Sequence, residues 1–591
     1  VPQHSITTLR KKVAGSATRR LAEKRVEQRT KLAEEDFYTW ALKVPEPKIG
    51  TLDFGRFPFQ RELYQESGER EIVVKKATQI GVSAYLIRWS LFYADTRGWS
   101  VLYIFPTAKQ LYDHSDARVQ PLIDNTEYLR SRVPRTRVQN KGLKGVGLGL
   151  VYFRGSERKR ALDSVDADAI AFDEYDTLTQ ENLPDAERRV SGSEHGLIRR
   201  VGVPSVPDFG VSAAYEGSDQ RRWLTKCVGC GEWQPVDFWK NVDKEQMRVV
   251  CFACRKPLPV EDGEWVPTYP ERDVRGYHAP RLIVPRIARN ENGALESIVK
   301  ESRKTKPYEV TVFHNKDLAE DYAPEEGRLT LAAIAAAQSA GGGYEMQTGY
   351  IGNNLVTMGV DVASTRNLNV RISEHVRPGV KRALWIGEAK SFDRIADLMR
   401  EYRVNMACID HLPEHRLAMG LAERFAGLVY LVNYSAPRTG DVLVVHEQQR
   451  TVSVRRTEAI DATFQQVREQ RNLLPVNLPE GYALHMTSMI RHVTIDELDK
   501  VVVSYKNVGP TDYAQAEVYD MVAGEVWLYR QAVAAELESE LRPLEDMLEF
   551  ERSALSDESV GYSPGPSLEE GFPLDAELPE LDDGEDVSDW D

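Results

Sequence analysis

The stretch from Ile72 to Ser83, IVVKKATQIGVS, limits the possible fold more than any other part of the chain. An apolar β-branched run, a turn containing Gly81 and an amphipathic run from Ala84 to Tyr93 predict strand, loop and helix in immediate succession. In that layout the loop N–H groups and the helix N-terminus form a cradle for phosphate oxygens. Farther on, AIAFDE (Ala169 to Glu174) predicts a buried strand ending in two adjacent carboxylates. A site that hydrolyses a nucleotide needs one such acid on the Mg²⁺ side and one beside the attacking water. Asp173 and Glu174 are the candidates.

The usual phosphate-loop pattern, G-x-x-x-x-G-K-[ST], survives only at its end, as Gly81 and Ser83, and Val82 occupies the lysine position. Lysines stand instead at the head of the loop, as Lys75 and Lys76. A long ammonium side chain can reach a phosphate from there as a point charge, and the sequence leaves open which of the two does so. Upstream, Gln60 lies among Phe57, Phe59 and Tyr64, where an amide can bond the adenine edge while a ring stacks on it. Val101–Pro106, Gly149–Arg154 and Leu197–Val203 read as further strands alternating with helices. That pattern predicts a parallel sheet with its ligand site at the strand C-termini. Ser205, just past the last of these strands, is placed to sense a γ-phosphate or else simply to make a turn. Arg154, Arg158, Lys159 and Arg160 form a basic cluster that either supplies an arginine finger or is merely solvated.

A chain of 591 residues predicts several domains. Four of its five cysteines form two pairs, Cys227/Cys230 and Cys251/Cys254, at zinc-ribbon spacing, which places a ribbon at about 222–268. Four thiolates leave no open position on the ion, so the zinc would be structural. Cys408 lies far from them in an apolar run and reads as core. No apolar run approaches the ~20 residues that span a bilayer. The net charge of −15 is concentrated at one end: Ser556 to Asp591 holds 13 Asp and Glu and no Lys or Arg. Nucleic-acid binding elsewhere therefore stays open. Residues 1–48 read as a basic helical segment, either a nucleic-acid or partner contact or a solvated helix.

The Ala-rich stretch followed by Gly341–Gly343 predicts a linker over 331–350. Beyond it, strand patterns end in Asp361 and in Asp410, and a helical pattern starts near Asp512. Carboxylates from a first strand, a fourth strand and a late helix form the arrangement of RNase H-like nucleases. Such sites hold two Mg²⁺ or Mn²⁺ ions ~3.5–4 Å apart, hard cations for which oxygen ligands are apt. Asp512 is the first choice for the third acid, with Glu517 and Asp520 as alternatives, and Lys506 is placed to steady a phosphate. Residues 531–591 turn acidic and read as a disordered tail.

Taken in order, these features resemble the large terminase subunits of tailed bacteriophages, in particular the lambda-like family. The resemblance implies an α/β protein with an ASCE-type P-loop ATPase domain over 49–330 carrying the zinc ribbon. An RNase H-like nuclease domain would follow over 351–530. It implies ATP, Mg²⁺ or Mn²⁺, and Zn²⁺ as cofactors, with Gln60 on adenine, Lys75 or Lys76, Gly81, Val82 and Ser83 around the phosphates, and Ser205 coupling hydrolysis to movement. Asp173 would be the Walker B acid, Glu174 the catalytic glutamate, and Arg158 or Arg160 an arginine acting between subunits. Asp361, Asp410 and Asp512 would hold the nuclease metals. Implied partners are double-stranded DNA, a small terminase subunit and a portal on which several copies form a ring, in the host cytoplasm and with no membrane. Such a protein drives DNA into a procapsid and cuts concatemeric genomes. A cellular helicase–nuclease or transposition-related ATPase has the same parts, and a zinc-ribbon scaffold with degenerate catalytic halves is a third reading.

Overall fold

The computed structural model describes residues 35–45, 52–65, 68–133, 139–163, 165–324, 327–435, 441–495 and 500–556. The expected basic segment is thus described only from residue 35, and the expected acidic tail only to residue 556.

The first domain is built on β1 (Glu71–Lys76), α1 (Val82–Phe92), β2 (Ser100–Phe105), β3 (Gly149–Gly155), β4 (Ala169–Asp173), β5 (Leu197–Gly202), β6 (Arg221–Lys226) and β7 (Arg275–Ala279). Across the sheet the strands run β6-β7-β1-β5-β4-β2-β3, every neighbouring pair parallel. Short antiparallel strands cover both edges, Glu264–Val266 on β6 and Leu143–Val146 on β3. β4 is buried at all five positions, as a strand covered on both faces requires. β5 lies between β1 and β4. The phosphate-loop strand and the acidic strand are therefore one strand apart, the ASCE arrangement.

The boundary expected near residue 48 does not separate two bodies. Phe37, Trp40, Ala41 and Val44 are spaced i, i+3, i+4, i+7, which gives the helix Phe37–Leu42 one apolar face. That face is buried in the core of the first domain, and the Trp40 indole N–H donates to Asp95 Oδ2 at 3.0 Å.

The second domain contains β8 (Val356–Ser364), β9 (Asn367–Arg377), β10 (Val380–Ala389), α2 (Phe392–Glu401), β11 (Met406–Asp410), β12 (Val429–Tyr434) and β13 (Thr451–Val454). The order is β10-β9-β8-β11-β12-β13. β8, β9 and β10 are antiparallel, whereas β8, β11, β12 and β13 are parallel. The first five strands thus lie 3-2-1-4-5, the RNase H-like order. A hairpin of β14 (Met489–Ile495) and β15 (Val501–Asn507) follows, then the helix α3 (Asp512–Ser556).

Two expectations about boundaries need correction. The segment read as a linker holds a helix, Leu331–Ala340, capped by Thr330 and buried at Ile334 and Ala337. Gln338 Nε2–H donates to the Pro475 carbonyl at 2.9 Å. Ala-rich sequence has high helix propensity, and here its apolar side finds a partner. The nuclease domain was also expected to end near 530, but α3 passes that point unbroken. The chain divides at Gly524; the second unit, from Glu525, consists over its described residues of the rest of α3. Among the described residues no helix is long and apolar enough to cross a membrane.

Candidate functional site

The phosphate loop leaves β1 at Lys76 and enters α1 through Gly81, which has φ 83°. A Cβ there would stand 2.8 Å from Gln60 Nε2, so both the conformation and the space call for glycine. Thr78 donates through its N–H (2.9 Å) and its hydroxyl (3.1 Å) to the Lys316 carbonyl, tying the loop to the segment Phe313–Leu318.

Successive strand residues face opposite sides, and this separates the two lysines. Lys75 turns to one side, where it forms an ion pair with Asp321 and lies 5.6 Å from the Tyr215 ring centre. Lys76 turns to the other and is buried in the field of Asp173 and Glu174. Burial depresses its ammonium below the ordinary lysine value, against the pull of those two carboxylates.

Asp173, at the end of β4, is held from several directions. The Ser83 hydroxyl donates to Oδ1 (3.2 Å), the Tyr103 hydroxyl to Oδ2 (2.6 Å) and the Glu174 N–H to Oδ1 (3.1 Å). Glu174 follows in the left-handed region, φ 54° and ψ 46°. Such a conformation costs a non-glycine residue about 1–3 kcal/mol and persists only where its surroundings fix it. Burial raises the Glu174 carboxyl and Asp173 raises it further, while Lys76, Arg118 and Lys316 pull it back. A carboxyl raised above its ordinary value, beside a lysine and a second carboxylate, has the character of a general base.

Ser205 reaches the same region from the loop after β5. Its N–H and hydroxyl both donate to Asp176 Oδ2, at 2.8 and 2.6 Å, and Val211 N–H donates to Oδ1 at 2.7 Å. Burial still pushes the Asp176 carboxyl up to about 6. Asn315 Nδ2–H and Tyr322 N–H in turn donate to the Ser205 carbonyl.

In the second domain Asp361 near the end of β8, Asp410 at the end of β11 and Asp512 at the start of α3 come together. Burial raises the Asp361 carboxyl well above its ordinary value, and the charges of Asp512 and Asp410 add to the shift. The Asp361 carboxyl makes no hydrogen bond among the described residues. A buried carboxylate with two like neighbours and no donor suits a multivalent cation. Asp512 is flanked by His485, whose Nδ1 is 3.4 Å from Oδ2 and accepts the Tyr513 N–H at 3.2 Å.

The alternatives for the third acid are otherwise engaged. Glu517 faces Arg371 at 3.0 Å and accepts from Asn472 Nδ2 (2.8 Å) and the Tyr482 hydroxyl (2.7 Å). Asp520 accepts from Thr357, Ser373 and Lys381, each at 2.6 Å. Both sit beneath the sheet and fasten α3 to it. The helix approaches so closely at Gly359 that an added Cβ would lie 2.1 Å from the Ala516 carbonyl oxygen.

The four ribbon cysteines form one cluster whose ligand atoms all lie within 4.8 Å of one another. Cys227 and Cys254 sulfurs are 3.5 Å apart, Cys230 and Cys251 3.7 Å. A tetrahedral centre with metal–sulfur bonds of ~2.3 Å has sulfur–sulfur edges of ~3.8 Å, so the set fits a zinc ion. N–H groups of Cys230 and Gly229 hold the Cys227 thiol below its usual range, which favours the ligating thiolate.

Residues 47–266 match the family of phage terminase large subunit gpA ATPase domains. The resemblance expected from the sequence is thus found over the first domain. Solved structures similar to this chain include the HK97 bacteriophage large terminase, 11% identical over 82% of this chain and 98% of that one, with a TM-score of 0.49. The Thermus phage P74-26 large terminase ATPase domain is 16% identical over 44% and 91%, TM-score 0.27. The large terminase nuclease of thermophilic phage G20c is 9% identical over 31% and 96%, TM-score 0.21. No curated protein matches.

Within the first domain the expected residues occupy distinct places. Lys76, Ser83, Asp173 and Glu174 share one crevice at the strand ends, with Gly81 shaping its loop. Val82 is buried as the first residue of α1. Lys75 and Gln60 lie outside that crevice: Lys75 is paired with Asp321, and the buried Gln60 donates from Nε2 to the Ile80 carbonyl at 2.5 Å. Arg158 and Arg160 are exposed, and their guanidinium groups make no hydrogen bond or ion pair among the described residues. Lys506 does not approach the nuclease acids; its Nζ–H donates to the Asp176 carbonyl at 3.2 Å, in the ATPase domain. Sequence reasoning missed Arg118 and Lys316, whose charges reach Glu174 from the helical segments Ser115–Val119 and Phe313–Leu318. Neither belongs to a motif, so no local pattern marks them.

Proposed function

We propose that this terminase subunit couples ATP hydrolysis in its first domain to movement of double-stranded DNA into a procapsid, and cuts concatemeric DNA with its second. The carrying observation is the meeting of Lys76, Ser83, Asp173 and Glu174 at the ends of two parallel strands separated by one other. Backbone N–H groups of the loop and of the α1 N-terminus would hold the phosphates, and Lys76 would offset their charge. Ser83 and Asp173 would hold Mg²⁺, which, when bound, neutralises charge developing on the phosphates. Glu174 would accept a proton from the attacking water. Arg158 or Arg160, whose guanidinium groups pair with nothing among the described residues, would complete the site of a neighbouring copy in a ring on the portal. DNA held through its phosphates should dissociate steeply with salt.

Asp361, Asp410 and Asp512 would hold two Mg²⁺ or Mn²⁺ ions, which, when bound, activate water and stabilise the leaving oxygen. Cys227, Cys230, Cys251 and Cys254 would hold a structural Zn²⁺. A small terminase subunit and the host cytoplasm complete the setting this reading requires. The test is a pair of variants of the full chain. Glu174→Gln should abolish DNA-stimulated ATP turnover while nucleotide still binds; Asp361→Ala should abolish cleavage and leave turnover intact. Normal turnover in the first, or normal cleavage in the second, removes that half of the reading.

A further inference from the structure

Lys506 belongs to β15 in the second domain, yet its ammonium group ends in the first. It donates to the Asp176 carbonyl (3.2 Å) and stands 5.0 Å from the Phe209 ring centre. The surrounding seam is apolar: Val206 and Phe209 from the loop after β5 meet Ile490 of β14, with Ala323 and Val508 against them. Burial depresses the Lys506 ammonium despite the pull of Asp176 and Glu181. A lysine buried in such a seam is kept by what it bonds, because an unsatisfied ammonium there would be strongly disfavoured.

The residue it bonds lies two positions after Glu174. The turn Tyr175–Thr177 follows directly on Glu174 in its left-handed conformation, and Thr177 closes the turn by donating to the Glu174 carbonyl through both N–H and hydroxyl. Asp176 is fixed at both ends. Its side chain takes the donors of Ser205 and Val211, and its carbonyl takes Lys506. The same hairpin strand runs on, five residues past Asn507, into Asp512.

We propose that Lys506 is a positioning residue of the ATPase site, supplied by the nuclease domain. It fixes the turn that presents Glu174 and, through Asp176, the Ser205 loop, and links both to the chain that seats Asp512. The inference rests on the reading of Glu174 as the hydrolytic residue.

The experiment compares full-length wild type, Lys506→Met, Lys506→Arg and Glu174→Gln for DNA-stimulated ATPase activity, with thermal unfolding measured alongside. Lys506→Met should lower kcat by roughly tenfold while KM for ATP stays within about twofold, the pattern of a lost alignment. Lys506→Arg, which can reach the same carbonyl, should recover most of the rate. If Met at this position prevents folding, Lys506→Gln carries the same comparison. An unchanged kcat in Lys506→Met, with Glu174→Gln inactive, overturns the inference alone. So does a Lys506→Arg variant as slow as the Met one, which would reduce Lys506 to a packing role. Normal turnover in Glu174→Gln would instead overturn the underlying reading.

Discussion

Lys75 and Lys76 are adjacent in one strand and serve opposite sides of the sheet: the first is paired with Asp321, the second lies in the field of Asp173 and Glu174. The ordinary phosphate loop places its lysine after the second glycine, where this chain has Val82 buried at the head of α1. Reaching the phosphates from the strand end is the alternative that remains, and strand alternation makes it available to one of the two.

Exchange of these lysines should therefore separate catalysis from stability. Lys76→Ala is expected to lower kcat by at least ~100-fold, the scale of one charged contact to a transition state, with little change in unfolding temperature. Lys75→Ala should leave Asp321 without its partner and cost about 3 kcal/mol of stability, with a smaller effect on kcat. Calorimetric unfolding and steady-state ATPase assays check both; a larger kcat loss in Lys75→Ala would reverse the assignment.

In the nuclease domain, Asp512 and Glu517 should respond in opposite ways. Asp512→Asn relieves repulsion at Asp361 and is expected to abolish Mn²⁺-dependent cleavage without lowering the unfolding temperature. Glu517→Gln breaks the buried contact with Arg371 and should cost about 3–5 kcal/mol. Isothermal titration with Mn²⁺ distinguishes the two: weakened binding in the Asp512 variant, retained binding in a folded Glu517 variant. Unchanged Mn²⁺ affinity in Asp512→Asn would pass the role to another acid.

The acid limit of the ATPase domain should depend on His278. Its Nε2–H donates to the Leu318 and Ala319 carbonyls at 3.1 Å each, and burial, with Lys75 and Arg222 nearby, pushes its pKa down to about 3. A depressed folded-state pKa stabilises above the unfolded value of 6.5 and loses that contribution as pH falls toward 3. Between pH 6.5 and 5 the loss is about 2 kcal/mol. His278→Gln should flatten that part of the stability profile measured by thermal unfolding. Parallel profiles for both proteins would show that another group sets the acid limit.

Removing zinc should unfold the ribbon before the rest. Cys251→Ser, or a strong chelator, is expected to lower the first unfolding transition by several degrees. Elemental analysis of the purified chain should find one zinc per polypeptide, and none in the quadruple Cys→Ser variant. Absence of zinc from the wild-type chain, with unchanged unfolding, would make the four thiols a cluster without a metal.

Much of the fold was legible because it rests on local periodicity. The strand ending in Asp173 and Glu174, the CxxC pairs and the carboxylates at strand ends are written in runs of a few residues. What separates Asp512 from Glu517 and Asp520, and Lys76 from Lys75, was not legible, because it lies far away in the chain. Asp321 claims Lys75 across 246 residues, and Arg371 claims Glu517 from another strand. Gln60 reads as an adenine contact among aromatic residues, but its amide is engaged by the Ile80 carbonyl and it is buried against the phosphate loop. The Ala-rich segment after Thr330 reads as a linker because composition reports flexibility without saying what surface lies within reach. Lys506 went astray for the same reason, since its partner belongs to the other domain.

Gly359 has a consequence for how this nuclease can vary. The strand bearing Asp361 and the helix beginning at Asp512 touch there backbone to backbone, with space for a hydrogen and nothing larger. Distance between those two acids is thus set by main chain, and substitutions along the helix face can retune its anchoring without respacing them. Replacing Gly359 with alanine would pry the helix away and widen the gap between the two acids in one step, so a graft of a foreign helix onto this sheet can succeed only on a scaffold that keeps this bare position.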